Sequence, residues 1–204
     1  MAKSNHEIKY KPSPELANDL QIAKKKTSKA LLWIAIISMI MFWGGLTSAY
    51  VVRQGAGNWL VFEMPSMFFL STAVIILSSI TYIFAFRSAK NNHQKGIITG
   101  VLATILLSVV FMFLQYAGWQ QLFENKIVFG GKYSNPSGSF FILFVWAHWA
   151  HFAGGIISLM IVLINSLRKK YSSENTLGIE LCGIYWHFLS VLWVYLFLFL
   201  YFIR

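Results

Sequence analysis

Charge is scarce in this chain. Only 12% of its 204 residues are Asp, Glu, Lys or Arg, about half the ~25% usual in a soluble domain. Acidic residues are rarest, at seven. Cysteine is rarer still. A single one, Cys182, excludes an intrachain disulfide, and with no C-x-x-C-H there is no covalent c-type haem attachment. No phosphate-binding glycine loop, nucleophile elbow or H-E-x-x-H occurs, which removes the common NTPase, α/β-hydrolase and zinc-protease readings. No secretory signal is expected at the N-terminus. It opens on a polar, charged stretch, and the first apolar run is too long for a signal h-region and lacks a cleavage site.

What the chain has is apolar surface. Apolar and aromatic residues make up 57%, with eight Trp, nine Tyr and eighteen Phe. They fall in long runs. Five reach the ~20 residues that a helix needs to cross a bilayer: about 30–52, 65–86, 96–119, 139–167 and 177–203. The expected fold is therefore all-α, a polytopic membrane bundle of five transmembrane helices. Residues 1–29 are expected to form a polar, basic tail and 30–204 the transmembrane domain. Pro65 suits the start of the second helix, and Asn175 and Thr176 are candidate caps for the fifth. The loop from Gln120 to Gly138 reads as irregular and external.

The net charge of +10 would suggest nucleic acid in a soluble protein. Here the cations flank the apolar runs and set orientation instead. Thirteen of the seventeen Lys and Arg lie in the tail and in the second and fourth connections; only Arg53, Lys126, Lys132 and Arg204 lie on the other side. The positive-inside rule then places the N-terminus in the cytoplasm and the C-terminus outside. No nucleic-acid partner is expected.

Ionisable groups inside a membrane are costly and usually functional. The first three runs have none in their interiors. The fourth carries His148 and His151 within WAHWAHFAGG, three apart on one helical face. The fifth carries Glu180 near its cytoplasmic end and His187 deeper, seven apart, with Gly183 and Ser190 on the same side. Ala147, Ala150, Gly154 and Ser158 make a small-residue stripe on the fourth, the pattern that lets helices approach closely. Three readings fit the histidines. They can be structural polarity beside packing seams. His187 with His148 or His151 can be axial ligands of a b-type haem. They can also hold another metal, although carboxylate ligands are missing. An inverted-repeat transporter finds no support, since no internal repeat or midplane charge is present.

Several stretches together resemble one family, subunit III of the haem–copper respiratory oxidases in its five-helix form. GIYWHFLSVLWVYLFLFLY in the fifth span carries the family's Trp-His-Phe step, with Glu180 six residues before Trp186. SFFILFVWAHWAHFAGG is similar to the family's His-x-x-His helix, with His148 and His151 at those positions. LSTAVIILSSITY, FLQYAGW and FWGGLTSAY match in order and spacing. The resemblance implies a non-catalytic subunit with no haem, copper or other metal of its own. It implies packing against the catalytic subunit I, association with subunit II and further oxidase or supercomplex subunits, and phospholipid held between helices. It places the chain in a respiratory, proton-translocating complex of the bacterial plasma membrane. His148, His151, Glu180, Trp186, His187 and Ser190 then become structural, packing or lipid-facing residues. Three acidic positions of the family are lost, at Met39, Gly118 and Ser190.

Overall fold

The computed structural model describes residues 13–59, 64–124, 135–173 and 175–203. Lys3, Lys9, Lys11, Lys126, Lys132 and Arg204, used above for orientation, lie outside the described residues, as does most of the expected external loop.

Five helices account for the described chain: α1 (Pro14–Gly55), α2 (Ser66–Lys90), α3 (Gln94–Glu124), α4 (Pro136–Leu167) and α5 (Leu177–Phe202). All five are long and apolar enough to cross a membrane. Among the described residues there is no strand, only an isolated bridge between Ser172 and Asn175. The all-α bundle read from the apolar runs is the observed one.

Helix starts follow local chemistry. Ser13 Oγ accepts from Leu16 N, with Pro14 in the first turn, so α1 is capped well before the membrane run. Asn135 Oδ1 accepts from Ser137 N at 3.0 Å and Pro136 opens α4. Thr176 caps α5 by position, without a side-chain bond. Between α2 and α3, Asn92 takes the left-handed conformation (φ 53°) that a tight reversal needs. Its side chain clips the α4–α5 connection, accepting from Ser173 N at 2.6 Å and donating to Ser173 Oγ at 3.0 Å. Gln94 Nε2 donates to the Ser166 carbonyl at the same end.

One expected boundary moves by about four turns. α1 begins at Pro14, so the later half of the basic tail is helix continuous with the first span. Nothing in KKKTSK breaks a helix once Ser13 has capped it. At 1.5 Å per residue this 42-residue helix is ~63 Å long, roughly twice a hydrocarbon core.

α2 and α3 form the tightest pair, and α5 touches α2, α4 and α1. Half of the most apolar window of α5 is buried inside the bundle, against 17% of that of α1. α5 is thus the central strut, and α1 lies outermost against α4 and α5. Lipid gives no hydrophobic drive between helices, so close packing and interhelical bonds hold them. Small residues set the α2–α3 seam. A Cβ on Gly100 would stand 2.7 Å from the Cβ of Ala85 and 2.9 Å from its backbone. Buried rings fill the centre, among them Trp43, Phe68, Phe111, Phe144, Phe152 and Trp186.

Candidate functional site

The polar groups of the bundle converge on α2. Its hydroxyls first bond backward to their own helix, as Ser71 Oγ to the Phe68 carbonyl and Ser78 Oγ to that of Ile75, both 2.9 Å. Each oxygen then accepts from another helix. Trp186 Nε1 donates to Ser78 Oγ at 3.3 Å, Trp193 Nε1 to Thr72 Oγ1 at 3.1 Å, and Gln115 Nε2 to Ser71 Oγ at 2.9 Å. Thr81 and Thr104 hydroxyls lie 2.9 Å apart, and Tyr82 donates to the Ile179 carbonyl at 2.7 Å. α2 therefore ties α3 on one side and α5 on the other.

The six candidate residues divide over this scaffold. Trp186 is fully buried, with its ring 5.2 Å from that of Phe152 on α4. Ser190 is buried and donates to the Trp186 carbonyl at 2.9 Å. His187 faces α2, its Nδ1 2.5 Å from Ser79 Oγ and its ring edge-on to Tyr82. His148 is fully buried among Trp193 (5.1 Å between ring centres), Phe152 (5.9 Å) and Phe111 (6.3 Å). His151 turns toward α1, near Trp43 and Phe42, and its Nδ1 donates to the Ala147 carbonyl at 2.7 Å.

Glu180 reaches the helix that sequence reasoning treated as a tail. Its Oε1 accepts from Lys29 Nζ at 2.6 Å, with the two side chains 32% and 41% exposed. Glu180 and His187 do share a face, lining a cavity of about 360 Å³ between α2 and α5 with Lys90 at its rim. Near this end, burial pushes the Tyr171 phenol above its ordinary pKa, so it stays neutral. Its hydroxyl would lie 2.6 Å from a Cβ on Gly178.

A b-type haem does not fit these residues. Its two axial histidines must face one gap wide enough for the ring. Here His148 faces α3 and α5, His151 faces α1, and His187 faces α2. Trp186, Trp193 and Phe152 fill the space between His148 and the fifth helix. Among the described residues, no three of His, Cys, Asp and Glu stand close enough to hold a metal ion.

The three positions at which the resemblance implied an acid are filled as follows. Phe68 occupies the side-chain space at Gly118, where an added Cβ would stand 3.0 Å from the ring. Ser190 satisfies itself on its own helix. Met39 is half-buried and packs against the aromatic core.

The small-residue stripe of α4 meets α5 in part. Ser158 Oγ lies 3.3 Å from Cys182 Sγ and a Cβ on Gly154 would stand 3.3 Å from the Tyr185 hydroxyl, whereas Ala150 is exposed; the tightest approach is at Gly155, where a Cβ would stand 2.8 Å from Leu189 Cδ1. On α5, Gly183 does sit on a seam, against the Tyr82 ring. Ser71, Thr72, Gln115, Trp193 and Lys29 were not singled out from sequence. A serine and threonine spacing on α2 was the available signal.

Residues 28–204 match the family model described as cytochrome c oxidase subunit III. The probable cytochrome c oxidase subunit 3 of Rickettsia bellii is 31% identical over 164 residues, covering 78% of this chain and 57% of that protein. The cytochrome c oxidase subunit 3 of Gadus morhua is 32% identical over 140 residues, covering 69% and 50%. The probable subunit 3 of Rickettsia conorii is 32% identical over 166 residues, covering 78% and 56%. The chain spans about half the length of these curated relatives. With the family model running from within α1 through α5, this multi-pass membrane protein belongs to the cytochrome c oxidase subunit III family.

Proposed function

We propose that this chain is a non-catalytic subunit of a haem–copper terminal oxidase, bracing the catalytic subunit I within a complex that also holds subunit II. The chain lies in a bacterial plasma membrane with its N-terminus cytoplasmic, and carries neither haem nor metal of its own. One observation supports this most. Polar side chains inside the bundle join its helices to one another: Trp186 to Ser78, Trp193 to Thr72, Gln115 to Ser71 and His187 to Ser79. Glu180 and His187, which line the cavity between α2 and α5, are held by Lys29 and Ser79. The test is to compare the oxidase with and without this chain. An unchanged initial turnover per haem with a shortened working lifetime is expected. Loss of initial turnover would overturn the reading.

Phospholipid is the second part of the proposal. Gln21, Lys24 and Lys25 of α1 and Ser172, Asn175 and Leu177 at the start of α5 line a cavity of about 410 Å³. Two ammonium groups and the positive end of a helix dipole favour an anionic phosphate. This setting suits the head group of an anionic lipid at the membrane surface.

A further inference from the structure

Two buried polar side chains, one on α3 and one on α4, have atoms still unpaired. His148 is fully buried, and neither ring nitrogen has a hydrogen-bond partner among the described residues. Gln115 is also fully buried. Its Nε2 is used by Ser71, and its Oε1 has no partner. Ring contacts fix the register of these antiparallel helices. Trp119 meets Trp146 at 6.2 Å, and Phe111 meets Phe152 at 5.0 Å. Gln115 lies one turn after Phe111, and His148 one turn before Phe152, so they occupy opposed positions.

We propose that Gln115 and His148 together bind one buried water molecule. The reason is a shortage of donors. Gln115 Oε1 only accepts, and a neutral imidazole has one bare nitrogen that accepts and one N–H that donates. A direct bond from the His148 N–H to Oε1 would leave the bare nitrogen without a donor. A water donates twice, once to Oε1 and once to that nitrogen, and buried waters of this kind typically hold two to four partners. The remaining N–H lies among the rings of Phe111, Phe152 and Trp193, which accept weakly.

The water closes a ring through four helices. Ser71 of α2 holds Gln115 of α3, the water joins Gln115 to His148 of α4, and the His148 ring lies on Trp193 of α5. Trp193 returns to Thr72, beside Ser71 on α2. This gives His148 a positioning role, fixing α4 against α3 at one level.

A cryo-electron microscopy map of the complex purified with this chain, fine enough to show ordered water, tests it. A peak within hydrogen-bond distance of both Gln115 Oε1 and a His148 nitrogen is expected. No peak there, or a direct contact between the two side chains, would overturn it. Thermal midpoints of the complex give a second readout through His148→Phe, Gln115→Met and the double variant. Each single change lowers the midpoint, and the double falls well short of the sum because it removes both ends of one bridge. Additive shifts would contradict the shared water. If His148→Phe does not assemble, His148→Gln keeps an acceptor, and its map must retain the peak.

Discussion

Gly100 and Gly44 both lie inside apolar helices, yet only one is needed. A Cβ on Gly100 would meet the Cβ and backbone of Ala85 at 2.7–2.9 Å, and backbone cannot step aside. At Gly44 nothing lies within 4 Å. Gly100→Ala should cost about 1–3 kcal/mol, the range of overpacking. Gly44→Ala should leave stability unchanged or slightly raised, since Ala favours helix. Thermal midpoints of the purified complex measure both. At Gly118, Gly118→Asp should be worse than Gly118→Ala, because Phe68 fills the space and the carboxylate would be buried without a partner. Met39→Glu enters a half-buried site and should not alter proton translocation; a marked change in pumping stoichiometry would contradict a purely bracing role. Residue identity made His148, His151 and His187 visible in the sequence. Their separation was not. Three residues leave a net 60° between side chains, and that angle turns His148 into the centre and His151 toward α1.

The elements were legible where length decides and illegible where partners decide. Five apolar runs gave five helices. The start of α1 was missed because Lys24, Lys25 and Lys26 read as a soluble tail, although lysine is a good helix former and Ser13 supplies the cap. Small-residue spacing on α4 marked a face that does meet α5 at Gly154 and Ser158, but not which of its members are exposed; α2 and α3 hold the tightest seam. The clasp between Lys29 and Glu180 joins α1 to α5 across 151 residues, a separation no local pattern reveals. Both partners are partly exposed, so the pair contributes at most ~1 kcal/mol. Glu180→Gln should hardly move the thermal midpoint. It should speed limited tryptic cleavage in the Lys24–Lys29 segment, because α1 is the helix least packed against the bundle. Equal cleavage rates would show that the clasp does not hold the helix.

At the scale of the molecule, the proposed bracing role leaves the chemistry to other subunits. An anionic lipid is the proposed ligand. Lys24→Ala with Lys25→Ala should lower the anionic phospholipid recovered per complex, as read by mass spectrometry of extracted lipid. Added inorganic phosphate should displace none of the lipid if the site takes a head group anchored in the membrane. Efficient competition by inorganic phosphate would assign the cavity to a soluble anion instead.

The most direct measurement is to tag the chain, purify it in mild detergent, and take a subunit mass list with a redox difference spectrum before and after separating the chain. A multi-helix partner carrying the haem bands, and a colourless separated chain, is the expected result. A b-type spectrum that stays with the separated chain would contradict the bracing role and return His148, His151 and His187 to the ligands of a haem.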